Sequence, residues 1–198
     1  MSMEGDLLVR SWIVDVLDAH RELVAIAVRQ QAKFEGWLKF KLAAYAQFKG
    51  AVEVQVEPSA RDSSNLRADL TFIYGNERCD VELKTCNTNW RMKGVLNKTR
   101  PITKNVAGVF EDGRKLHKSS GQGVVAACIF PVECGDMRWV EYLSRIAAAT
   151  GIELPADSPT SRGSIPIGHD CNAEVDIISF PTKKADFWLA APSRFDAL

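Results

Sequence analysis

Between Arg67 and Thr85 the chain reads R-A-D-L-T-F-I-Y, turns at Gly75-Asn76, and returns as R-C-D-V-E-L-K-T from Arg78. No other stretch constrains the fold as tightly. A Gly-Asn step between two extended runs predicts a tight turn, and so a hairpin. A strand alternates its side chains between faces, so Asp80, Glu82 and Lys84 share one face, while Val81 and Leu83 fill the other. As an exposed strand this would be a solvated face with an ion pair. Inside a covered sheet it would need partners, because buried charge is costly unless paired or bound to metal.

The surrounding elements favour the covered sheet. Leu7, Leu8, Trp12, Ile13, Val16 and Leu17 predict a helix over residues 6–19, with Asp6 able to cap its start. A second helical pattern runs from about Glu22 to Phe48 through Phe34, Leu38, Leu42 and Tyr45, with Lys33, Lys39 and Lys41 elsewhere around it and Gly50 as its stop. The period then becomes two over residues 51–57. Val52, Val54 and Val56 are expected on one face, and Glu53, Gln55 and Glu57 on the other. Residues 102–118 read as a helix. The nearly continuous apolar run Val124 to Val132 reads as a strand covered on both faces. Residues 137–150 read as a helix, 151–172 as a Pro/Gly-rich loop and 175–180 as a last strand. The order helix, three strands, helix, strand, helix, strand predicts an α/β fold with a mixed sheet flanked by helices, not a doubly wound parallel one.

The chain has 198 residues, 46% hydrophobic and 25% charged, which suits one domain with a real core and argues against disorder. Lys+Arg and Asp+Glu number 25 each, so any partner-binding charge must be local. The five cysteines form no C-x-x-C pair, and Cys79 and Cys128 lie in apolar runs, as small buried hydrophobes do. No signal peptide and no membrane span are visible, so a cytoplasmic protein is expected. His20, His117 and His169 are scattered, and neither a G-x-S-x-G elbow nor a Walker A sequence occurs.

Asp69 on the first hairpin strand adds a third carboxylate near Glu82. Carboxylate oxygens with water suit a hard cation such as Mg²⁺, and an adjacent lysine can hold a phosphate oxygen or position a water. Asp69, twelve residues, then Glu82-Leu83-Lys84 resembles the motif of the PD-(D/E)xK nuclease superfamily. The element order also resembles that superfamily's restriction-endonuclease-like core, order α-β-β-β-α-β, over about residues 30–132. Here the core would carry an N-terminal helix (6–19) and a C-terminal helix and strand (137–180) within a single domain. The resemblance implies a nuclease that hydrolyses phosphodiester bonds, with DNA the expected substrate. Asp69 and Glu82 would bind Mg²⁺ (or Mn²⁺ as substitute), with the Leu83 carbonyl, and Lys84 would orient the attacking water. It also implies a Glu on the first core helix, for which Glu35 is the match; a plain surface glutamate is the alternative. The sequence departs from the pattern at Ala68, where the motif has Pro, and no Gln-x-x-x-Tyr follows Lys84. Asp80 is a third ligand or, preferably, an ion-pair partner of Arg78 or Arg67.

From Leu83 to Phe110 there are six basic residues and no acidic one: Lys84, Arg91, Lys93, Lys98, Arg100 and Lys104. Arg91, Lys93, Lys98, Arg100 and Lys104 are expected to form a nucleic-acid-binding surface, with Asn87, Asn89 and Trp90 adding contacts. Double-strand cutting would favour a homodimer. A catalytically silent module of the same fold, binding nucleic acid or protein, is the competing reading.

Overall fold

A computed structural model of the chain describes residues 5–58, 68–88, 90–96, 102–116, 122–133, 136, 160–168 and 171–182. Helix α1 (Gly5–Ala19) buries Trp12, Ile13, Val16 and Leu17 of the expected stripe, together with Val9, whereas Leu7 is exposed and Leu8 only partly buried. Asp6 falls inside the first turn instead of ahead of it, where its charge still suits the helix dipole.

The long pattern from Glu22 to Phe48 is two helices, not one: α2 (Arg21–Gln30) and α3 (Glu35–Phe48). Gln31 stops α2 in the left-handed region (φ 47°, ψ 42°), its N–H donating to the Ala27 and Val28 carbonyls. No glycine marks the break. It is held from outside, by Asn87 Nδ2 donating to the Gln31 carbonyl at 3.0 Å.

Six strands form one sheet: β1 (Val52–Val56), β2 (Leu70–Tyr74), β3 (Glu77–Asn87), β4 (Gln122–Glu133), β5 (Thr160–Gly168) and β6 (Cys171–Pro181), in the order β1-β2-β3-β4-β6-β5. Only β3 and β4 pair in parallel, with α4 (Ile102–Leu116) in the connection between them; the other pairs are antiparallel. The mixed α/β sheet is therefore as expected. Helices α1 and α3 cover one face, over Val81, Leu83, Val124, Ala126 and Phe130. Helix α4 covers the other, where Val109 and Leu116 meet Val125, Ala127 and Ile129. That double cover explains the unbroken apolar run of β4.

Two strand expectations need correction. In β1, Val52 opposes Ile73, whereas Gln55 and Val56 oppose Thr71 and Leu70, so one extra residue lies between. Glu53, at φ 51°, takes up this bulge. The face assignment flips across it: Val52 is exposed, and Val54 and Val56 pack on the core. Residues 160–168, expected as loop, form the edge strand β5. An edge pairs on one side only, so its Pro166 and glycines are tolerated, and the register shift falls between Pro166 and Gly168. The helix expected over 137–150 lies outside the described residues. No helix among the described residues is long and apolar enough to cross a membrane.

Candidate functional site

The hairpin forms as its sequence requires. Residues 70–74 pair with 81–77 around Gly75 (φ 59°) and Asn76 (φ 68°), the two positive-φ positions that a two-residue turn needs. Strand β3 then runs six residues beyond its pairing with β2, from Glu82 to Asn87, still joined to β4 on its other side. An overhanging edge leaves N–H groups that need acceptors. Two carboxylates supply them. Leu83 N–H donates to Asp69 Oδ2 at 2.9 Å, and Thr85 N–H to Glu35 Oε2 at 3.2 Å.

Asp69 is placed by the end of the β-ladder. Its N–H donates to the Val81 carbonyl, while its own carbonyl turns away to accept from Glu57 N–H. Its carboxylate takes the Leu83 N–H, beyond the last paired residues of β2 and β3. Asp69 lies just ahead of the Leu70–Val81 pair, and its charge acts on Glu82, so the two predicted metal ligands are neighbours. Glu35, in the first turn of α3, also reaches the β3 edge rather than pointing into solvent.

Glu82 and Lys84 project towards α4, on the face opposite Val81 and Leu83. Lys84 Nζ lies 3.6 Å from Glu82 Oε1 and 2.9 Å from Asp112 Oδ2, and Lys115 Nζ lies 3.0 Å from Asp112 Oδ1. Burial, reinforced by the charges of Asp69 and Asp112 against the weaker pull of Lys84, pushes the Glu82 carboxyl up to about 7. Burial pulls the Lys84 ammonium down. Its hydrogen bond to Asp112 and the charges of Asp112, Glu35 and Glu82 outweigh that and hold it above the ordinary lysine value. Lys84 is therefore a permanent cation and donor at neutral pH.

Three participants are not identifiable from local sequence. Lys39, on α3 one turn beyond Glu35, is buried, with Nζ 2.6 Å from Asp69 Oδ1 and 2.7 Å from Glu57 Oε1. Glu57, expected only as one of the residues on the face opposite the β1 valines, is largely exposed and still reaches Lys39. Asp112 is an acid on the buried stripe of α4, between Val109 and Leu116. The available signals were the Glu35–Lys39 spacing, which shares a helix face, and an acid at an apolar-periodic position.

Mg²⁺ requires hard oxygen donors. The Asp69 and Glu82 carboxylates are such donors, and the Leu83 carbonyl leaves β3 on the same side as its N–H, along the open edge. The Glu82 carboxyl is raised first by burial and then by the charges of Asp69 and Asp112. Against this, both Asp69 oxygens are already engaged, by Lys39 and by Leu83 N–H. Among the described residues no three His, Cys, Asp or Glu side chains form a ready-made cage. The donor chemistry fits one cation held by two carboxylates and otherwise by water.

Asp80 pairs with Arg78, whose Nε lies 2.9 Å from its Oδ1, so of the two roles open to it the structure gives the ion pair. Of the expected basic surface, Arg91 and Lys93 are exposed and Lys104 lies in the first turn of α4, whereas Lys98 and Arg100 lie outside the described residues. Asn87 is not available for surface contacts, because it is buried and its amide is spent on Gln31. Asn89 lies outside the described residues, and Trp90 packs partly buried beside the α4 core. Cys79 and Cys86 are buried, and burial pushes both thiols up to about 12, which makes them packing groups. Comparison with protein-family models, characterised proteins and solved structures returns no match for the chain.

Proposed function

We propose that the chain is a metal-dependent nuclease of the PD-(D/E)xK type, cleaving phosphodiester bonds in DNA. One observation carries the reading: at the end of the β2–β3 ladder Asp69 caps the Leu83 N–H and its charge acts on Glu82, with Lys84 beside Glu82 and Glu35 on the same strand edge. Mg²⁺ held by Asp69 and Glu82, with the Leu83 carbonyl and water, would supply an activated water and neutralise charge on the scissile phosphate. Lys84, fixed as a cation by Asp112, donates hydrogen bonds to that water or to a phosphate oxygen and does not act as a base. Without a cation, burial raises the Glu82 carboxyl to about 7, and a bound Mg²⁺ would favour its ionised, ligating form. Glu35 keeps the β3 edge in place and lies close enough to act on Lys84 electrostatically. Arg91 and Lys93 are exposed on the segment that follows β3 and provide phosphate contacts.

The test is cleavage of duplex, single-stranded DNA and RNA with Mg²⁺, Mn²⁺ or Ca²⁺. Mg²⁺ and Mn²⁺ are expected to support cleavage of DNA, and Glu82→Gln and Lys84→Ala to abolish it while leaving binding in Ca²⁺. No cleavage of any nucleic acid with any cation would overturn the reading. A second reading, a silent module of the same fold, is favoured by the Lys39 ammonium on Asp69, which already neutralises one proposed ligand. It requires nucleic-acid or protein binding with no metal-dependent turnover.

A further inference from the structure

Lys39 is an unusual neighbour for a metal ligand. It is 6% exposed, its stem lies beside Leu38 and Leu42 on the buried side of α3, and its ammonium bridges two carboxylates of different character. Asp69 is 14% exposed at the side chain and turned into the site; Glu57 is 69% exposed and sits at the rim. Burial works against the Lys39 charge, but the hydrogen bonds to Asp69 and Glu57 prevail and hold its pKa above the ordinary value, so it stays protonated. A divalent cation and this ammonium therefore compete for Asp69 Oδ1.

We propose that Lys39 is a displaceable counter-ion of the metal site and that Glu57 is the place to which it retires. Cation binding at Asp69 and Glu82 moves the ammonium off Asp69 and leaves it paired with Glu57 alone. The inference rests on the metal site proposed above. The exchange keeps Asp69 neutralised when no metal is bound, which avoids a buried uncompensated carboxylate. It also sets metal affinity through a residue that is not itself a ligand.

The experiment is Mn²⁺ binding to the full chain by titration calorimetry, with free Mn²⁺ followed by electron paramagnetic resonance. Lys39→Gln removes the competitor and is expected to tighten Mn²⁺ by about tenfold, within the usual range for linked equilibria. Glu57→Gln removes the retreat and is expected to weaken Mn²⁺ about fivefold when Lys39 is present. In the double variant the Glu57 substitution should have much less effect, which separates a retreat for Lys39 from a general loss of negative charge. Glu57 is exposed, so its variant keeps the inference falsifiable even if Lys39→Gln does not fold. Mn²⁺ binding to the unsubstituted chain that is unaffected by Glu57→Gln, or affected equally with and without Lys39, overturns the inference and leaves the metal site standing. Absence of Mn²⁺ binding in every folded variant overturns both.

Discussion

Glu82 is enclosed on the α4 face of β3 with Asp69 and Asp112 as negative neighbours, and Lys84 offsets them in part. Its carboxyl is pushed up to about 7, against an ordinary value of 4.5. Between those values the folded state binds more protons than the unfolded chain, so stability falls as pH rises through this window and the full penalty is present above it. Without divalent cation, Glu82→Gln is therefore expected to raise the melting temperature at pH 8, by the equivalent of about 1–3 kcal/mol at ~1.4 kcal/mol per pKa unit. The gain should vanish near pH 4, where both states hold the proton. Thermal denaturation of both proteins across pH 4–8 checks this, and a variant less stable at pH 8 would show that Glu82 is held by favourable contacts instead.

At the scale of elements, the overhang of β3 past β2 gives Asp69 and Glu35 a structural duty, beside the chemical one proposed for them. A strand edge without acceptors would be costly, so the carboxylates that could serve chemistry also terminate the sheet locally. The two duties separate by substitution. Glu35→Ala removes the acceptor for Thr85 N–H and is expected to cost about 1.5–3 kcal/mol, as for a hydrogen bond to a charged group. It should also speed hydrogen exchange at the Thr85 amide. Glu35→Gln keeps an acceptor and should preserve that protection while still slowing cleavage if the charge matters to the reaction. Equal exchange rates in the two variants would remove Glu35 from the edge-capping role.

At the scale of the whole molecule, a neutral chain can bind a polyanion only by sorting its charges. Lys84 is turned inward onto Glu82 and Asp112, whereas Arg91 stands exposed on the segment that follows β3. Arg91→Ala is expected to flatten the dependence of log K on log salt for duplex DNA by about 0.9, the contribution of one phosphate. Lys84→Ala should leave the slope unchanged and abolish cleavage. Filter binding at several salt concentrations checks both, and equal slopes for Arg91→Ala and the unsubstituted chain would exclude Arg91 from the interface.

The hairpin was legible from local sequence because each of its determinants is local. A period of two assigns side chains to faces, and Gly75-Asn76 provides the positive φ of the turn, so Asp69, Glu82 and Lys84 could be named without a fold. Helix α1 and the doubly covered β4 were legible for the same reason. Features that depend on a distant partner were not. The break at Gln31 has no glycine to announce it and is held by Asn87, far along the chain. Strand β5 is poor in strand-forming residues and exists because β6 offers it a ladder. The bulge at Glu53 reverses an alternation that was regular in sequence. Lys39, Glu57 and Asp112 look like ordinary surface charges when read in order. Their roles arise only when α3, the end of β1 and α4 close around β3, because the cost of a charge is set by the burial and the counter-charges that other elements bring to it.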